Sequence, residues 1–209
     1  MTPYYQDNAV TLFCGDSREI VPTLGRFDCV VTDPPYGCSA TTRRGGVYNG
    51  FSIYGDKDTV MRDWLISLWN GPMIMFGSPR IKRPDGCAVL IWAKGEHTGM
   101  GDLSFPWKPD FEEIYVFGKA FSGKRTSSVL QFNARIDSSR LHSTEKPISL
   151  MCELIGKCTS QIILDPFAGS GTTGRAAKDL GRKCTMIERE EKYCEIAAKR
   201  MAQDVLGFA

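Results

Sequence analysis

The sequence is poor in several features that would each have announced a function. It has two histidines, His97 and His142, and none of its eight cysteines stands at CxxC spacing to another. A structural zinc site draws on clustered Cys and His, so no metal is expected. No apolar run approaches the ~20 residues a membrane-spanning helix needs. The opening Met1-Thr-Pro-Tyr-Tyr-Gln-Asp carries no basic stretch followed by an apolar one, so no secretory leader is expected either. Several cysteines sit in apolar strings such as Asp28-Cys-Val-Val and Cys87-Ala-Val-Leu. There Cys acts as a small hydrophobe, which fits reduced thiols in a cytoplasmic protein. Internal repeats, low-complexity tracts and composition breaks are absent. Net charge is only +2, too little to announce a polyanionic partner.

What remains is ordinary globular usage. At 42% hydrophobic and 24% charged over 209 residues, residues 1–209 form one α/β domain with its own core. The charge is unevenly spread. Residues 37–146 hold 15 Lys/Arg against 11 Asp/Glu, and 119–146 hold six against two, a modest basic bias toward a polyanion.

Strand and helix signals alternate. Strands are expected at Val10–Cys14, Phe27–Thr32, Met73–Phe76, Cys87–Trp92, Glu113–Phe117, Ile162–Leu164 and Lys183–Ile187. Helices are expected at Ser17–Leu24, Asp58–Trp69, Pro147–Lys157, Thr172–Leu180 and Glu190–Leu206. The Gly/Ser/Thr/Arg-rich stretch 37–56 reads as a long loop. This alternation implies a mainly parallel sheet with helices on both faces.

Between one strand and the next helix lies Asp165-Pro-Phe-Ala-Gly-Ser-Gly-Thr-Thr-Gly. Glycines at such a turn admit a ligand close to the backbone, and a helix N-terminus offers free N–H groups. Gly169, Gly171 and Gly174 satisfy GxGxxG, and Glu188 ends the following strand, where a carboxylate accepts from ribose hydroxyls. A dehydrogenase would need a second half-fold, and 21 residues follow Glu188. A P-loop would need a Lys after the glycines. A nucleoside cofactor without a pyrophosphate fits the string best.

The second motif is Asp33-Pro34-Pro35-Tyr36, after a buried strand. Two prolines stiffen the turn and remove two N–H donors. That presents a carboxylate, a carbonyl and an aromatic ring. The trio suits a planar base with an exocyclic amine: Asp33 and the Pro34 carbonyl accept its two hydrogens, and Tyr36 stacks on the ring. Drawing on both N–H bonds localises the nitrogen lone pair for attack on a methyl carbon.

Together the two motifs resemble the DNA amino-methyltransferases that act on adenine N6 or cytosine N4. Asp33–Tyr36 precedes the glycine string, as in the permuted β-class order. Leu12-Phe-Cys-Gly-Asp-Ser resembles that family's early GD segment, and His142-Ser-Thr-Glu-Lys-Pro its H-x-x-x-K-P segment. The resemblance implies a Rossmann-like S-adenosylmethionine-dependent methyltransferase fold, with a seven-stranded mixed sheet, helices on both faces and circularly permuted motif order. It implies a catalytic segment 1–36 with Asp33, Pro34, Pro35 and Tyr36, and a cofactor-binding half 142–209. S-adenosylmethionine would be held by Asp16, Asp33, His142, Lys146, Asp165, Pro166, Phe167, Ala168, Gly169, Ser170, Gly171, Thr172, Thr173 and Glu188. Asp16 would take the adenine amino group and Glu188 the ribose.

The implied substrate is double-stranded DNA with the target base flipped out, and β-class relatives imply a homodimer. No separate recognition domain of about 80–100 residues is expected, so recognition would fall to loops 37–56 and 119–141. Arg43, Arg44, Lys124, Arg125, Arg135 and Arg140 are the candidates for phosphate or guanine contacts. An Asp at the head of the turn points to adenine N6, in a restriction-modification setting. Cytosine N4 stays open, as do an RNA or protein-amide methyltransferase and a non-catalytic DNA-binding relic.

Overall fold

A computed structural model of the chain describes residues 1–37, 57–95, 104, 106–134 and 145–203. Its nine strands, in chain order, are β1 (Tyr5–Gln6), β2 (Val10–Cys14), β3 (Cys29–Thr32), β4 (Met73–Gly77), β5 (Ala88–Ala93), β6 (Phe111–Phe117), β7 (Val129–Gln131), β8 (Ile162–Asp165) and β9 (Lys183–Glu188). The helices are α1 (Ser17–Ile20), α2 (Val60–Leu68), α3 (Ile148–Lys157), α4 (Thr172–Asp179) and α5 (Glu191–Met201).

All nine strands form one sheet, in the order β1-β2-β9-β8-β3-β4-β6-β5-β7. From β2 to β4 the pairings are parallel. β6 runs antiparallel to both β4 and β5. The seven strands expected from the sequence are the central seven. The additions are the edge strands β1 and β7, of two and three residues, too short to show a period of two.

The central strands alternate between two cores. Cys29 and Val31 of β3, Ile74 and Phe76 of β4, and Cys184 and Met186 of β9 meet α3, α4 and α5. Their neighbours Val30, Met73, Met75 and Ile187 meet Ile20 of α1 and Leu65 of α2 on the other face. Helices on both faces explain why β3 and β4 are buried throughout and read as unbroken apolar runs.

The expected helix 17–24 is α1 followed by a 3-10 turn, Val21–Thr23, because Pro22 has no N–H to extend the α ladder. α5 ends at Met201, short of the expected Leu206, and 204–209 lie outside the described residues. Among the described residues the cysteines are free thiols. No helix there is long and apolar enough to cross a membrane.

Candidate active site

Parallel strands put their C-terminal ends on one edge, and the crevice along that edge is where open α/β sheets bind ligands. Here it holds a cavity of about 440 Å³. Its wall gathers residues that stand far apart in sequence. Asp16 follows β2, Asp33–Tyr36 follow β3, and Asp165–Ser170 follow β8, with Thr172 and Thr173, Lys146 and Glu188 beside them. Lys94, at the end of β5, and Glu112, near the start of antiparallel β6, complete it. Gly171 does not border the cavity. It caps α4 with φ 80°, a left-handed conformation that favours glycine. Gly174 sets helix packing: a Cβ there would stand 2.5 Å from Met186 Sδ.

The two motif turns are joined directly. Thr32, one residue before Asp33, donates its hydroxyl to Asp165 Oδ1 at 2.7 Å, and the Phe167 N–H donates to the same oxygen at 3.0 Å. Burial pushes the Asp165 carboxyl up to about 6, against the pull of those hydrogen bonds. At the neighbouring strand end, Glu188 accepts from the Gly169 and Glu190 N–H groups, both at 2.8 Å. Burial raises its pKa. Asp16 caps α1, accepting from the Arg18 N–H at 2.9 Å and pairing with the Arg18 guanidinium at 2.7 Å. Arg18 holds that carboxyl down at about 2. The Ser17 hydroxyl donates to the Pro166 carbonyl and pins the glycine turn to the β2 end.

Asp33 sits in a web of charge. Lys146 Nζ donates to Asp33 Oδ2 at 2.5 Å and lies 3.2 Å from both the Tyr36 hydroxyl and Glu112 Oε2. Lys94 Nζ lies 2.7 Å from Glu112 Oε1. The Tyr36 hydroxyl donates to Asp33 Oδ1 at 2.5 Å, while its ring packs on the core. Lys146 also stands 4.9 Å above the Phe76 ring, a cation–π distance. Burial opposes every charge here, and partners decide the outcome. Lys146 is raised because Asp33 and Glu112 outweigh its burial. Burial pushes Glu112 up, but Lys146 and Lys94 hold it below the usual carboxylate range. Burial, then the two carboxylates, raise the Tyr36 phenol.

Lys146, which the resemblance sets beside the cofactor, is turned to Asp33. Glu112, Lys94, Glu145 and Arg200 escaped the sequence reading as site residues. Glu112 and Glu113 are adjacent on a strand, so they face opposite sides. Each is partnered, Glu113 by Arg83 at 2.9 Å. That acidic pair on a strand was the available signal. Arg200 pairs with Glu145 at 2.8 Å, their side chains 7% and 1% exposed, and donates to Thr172 Oγ1 at 2.9 Å. Its place three residues after buried Ala197 on α5 was the hint.

The candidate DNA-contact residues divide. Lys124 and Arg125 stand away from the cavity: the Lys124 carbonyl accepts from Lys157 Nζ, at the last residue of α3, while Lys146 precedes the first. A ten-residue helix sets these about 15 Å apart. Arg43, Arg44, Arg135, Arg140 and His142 lie outside the described residues.

Comparison with known proteins agrees with this geometry. Residues 88–199 match the DNA methylase family of N6/N4 methyltransferases. The chain is 48% identical to the type II methyltransferase M2.DpnII of Streptococcus pneumoniae, over 95% of this chain and 92% of that protein. It is 45% identical to the type II methyltransferase M.HinfI of Haemophilus influenzae over 69 residues, 32% of this chain and 19% of that protein. Among solved structures, the M1.HpyAVI–SAM complex superposes with a TM-score of 0.69 at 24% identity, over 93% of this chain and all of that one. The cytosine-N4-specific PvuII DNA methyltransferase superposes at 0.72 and 16% identity, over 98% and 90%. The chain belongs to the DNA methylase family, and its fold is that of the S-adenosylmethionine-dependent DNA methyltransferases.

Proposed function

We propose that this chain transfers a methyl group from S-adenosylmethionine to adenine N6 in double-stranded DNA, acting on a base flipped out of the helix. One observation carries the reading. The Asp33 carboxylate and the glycine turn open into one cavity, and the Thr32–Asp165 hydrogen bond holds their strands together.

The residues present fit that cofactor. Glu188 is a buried acceptor at a strand end, suited to two ribose hydroxyls. At Ala168, Gly169 and Ser170 the turn lines the cavity with small side chains, leaving room for a nucleoside. The pocket offers no lysine at the glycine turn, consistent with a cofactor that has no phosphate. When bound, S-adenosylmethionine supplies a methyl group on a positive sulfur whose departure leaves a neutral thioether.

The rest is done by the chain. Asp33 and the Pro34 carbonyl accept hydrogen bonds from the two hydrogens of the target amine, drawing its lone pair out of conjugation toward the methyl carbon. The methylated nitrogen then releases one of those hydrogens as a proton by way of Asp33 to solvent. Pro34 and Pro35 keep those acceptors rigid, so little reorganisation is needed at reaction. A base within a duplex has its amine inside the stack, which is why flipping is required.

The test is direct. The purified chain is incubated with S-adenosylmethionine and unmethylated DNA of mixed sequence, and the nucleosides are analysed by mass spectrometry. N6-methyladenine is expected. N4-methylcytosine would keep the chemistry and overturn the base assignment, and transfer to RNA or protein alone would overturn the substrate class.

A further inference from the structure

Asp33 is occupied in the structure described above. Both of its oxygens are taken, Oδ2 by Lys146 and Oδ1 by the Tyr36 hydroxyl, each at 2.5 Å. Each oxygen keeps a further lone pair, but an ammonium held this closely draws on the carboxylate's charge, so Asp33 accepts more strongly from a substrate amine once the ammonium moves off. Lys146 is the harder partner to displace, because its side chain is only 6% exposed and a buried ammonium left without a counter-charge is costly. A second carboxylate stands ready. Glu112 Oε2 is 3.2 Å from the same Nζ, and Glu112 is itself held by Lys94 on its other oxygen, at 2.7 Å.

We infer that Glu112 is a positioning residue that receives Lys146 from Asp33 when the target amine arrives. The inference rests on the proposed function, since it needs an amine donating to Asp33. Nζ has to shift by only a fraction of an ångström to exchange a short bond to Asp33 for a short bond to Glu112. The ammonium stays over the Phe76 ring and remains paired throughout. No proton crosses the site, and no charge is left bare. Lys94 keeps the Glu112 carboxylate aimed during the exchange. Its Nζ also lies 5.4 Å from the Trp92 ring, so Lys94 is itself fixed.

The arrangement predicts a suppressor relation that a purely structural role would not produce. In Glu112→Gln, Asp33 is the one anion paired with Lys146 among the described residues, and Lys146 stays there. Turnover falls by roughly ten- to a hundredfold, while the Kd for S-adenosylmethionine changes by less than about twofold. Lys146→Met removes the ammonium that blocks Asp33. Placed on the Glu112→Gln background, it raises kcat above that of Glu112→Gln alone. Glu112→Asp keeps the charge on a shorter stem and gives an intermediate kcat, and it serves if Glu112→Gln does not fold.

The experiment measures methyl transfer to DNA and S-adenosylmethionine binding for the wild type, the single variants and the double variant. Full turnover in Glu112→Gln overturns the inference, as does a double variant slower than Glu112→Gln. So does wild-type turnover in Glu112→Asp where that variant has to stand in. A wild-type chain that methylates no DNA overturns the functional reading and takes the inference with it. An active wild type with an unaffected Glu112→Gln overturns the inference alone.

Discussion

The two turns that face each other across the cavity are built differently. The glycine turn, 165–174, works through its backbone and its near neighbours. Its N–H groups reach Glu188 and Asp165, and its glycines let the chain bend and let α4 press against β9. The Asp33–Tyr36 turn works through side chains supplied from elsewhere. Its charge is set by Lys146 ahead of α3, Glu112 on β6 and Lys94 after β5. The first turn is a run of consecutive residues with a backbone requirement, tied down by two hydroxyls from distant strand ends, Ser17 and Thr32. The second takes charged partners from residues up to 113 positions away.

Five substitutions probe that contrast. The largest effect is expected where the glycine turn depends on something distant. Arg200→Met removes the guanidinium that pairs with Glu145, whose side chain is 1% exposed, and that donates to the Thr172 hydroxyl. Loss of one partner of a buried ion pair costs about 3–5 kcal/mol, to be read by urea unfolding. Wild-type stability would show that the glycine turn needs no anchor on α5.

Next is Asp165. Its folded pKa, about 6, lies above its ordinary value of 3.8. The folded state therefore binds the proton more tightly than the unfolded state does. The resulting stability is full below about pH 4 and is lost as pH rises through 6. Relative to Asp165→Asn, which cannot titrate, the wild type should lose on the order of 3 kcal/mol between pH 4 and pH 7. A constant difference across that range would mean that Asp165 is solvated.

Glu188→Ala removes the carboxylate assigned to the ribose. It should weaken S-adenosylmethionine binding about tenfold, measured by calorimetry, with less effect on kcat at saturation. An unchanged Kd would place the ribose elsewhere. The smallest effect belongs to Lys124→Ala and Arg125→Ala, which do not line the cavity. KM for DNA should change by less than about twofold at constant salt. A larger change would put the α3 C-terminal end in the DNA footprint.

The same contrast explains what could be read from residue order alone. The glycine string, the Asp33–Tyr36 turn and the order of the two were legible because each is a run of adjacent residues with a backbone requirement. The parallel sheet followed from the alternation of strand and helix signals, and the buried apolar runs of β3 and β4 between two layers of helices agree with it. The cross-sheet charge network was not legible. Nothing near Glu112 in sequence says that Lys146 will meet it, and the two come together only when β6 is laid antiparallel beside β4. Edge strands β1 and β7 were missed for a related reason: their few residues have no pattern of their own and exist as strands only through β2 and β5. Helix ends were nearly right, except at Pro22, where a missing N–H ended α1 early, and at α5, which ends at Met201 and not Leu206.

The central claim is a division of labour, with the glycine turn holding the cofactor and the Asp33–Tyr36 turn acting on the amine. The most direct measurement sets methyl transfer beside S-adenosylmethionine binding in Asp33→Ala. Transfer to DNA should become undetectable while the Kd for S-adenosylmethionine stays within about threefold of wild type. Equal loss of binding and transfer would contradict the division and make Asp33 part of the cofactor site.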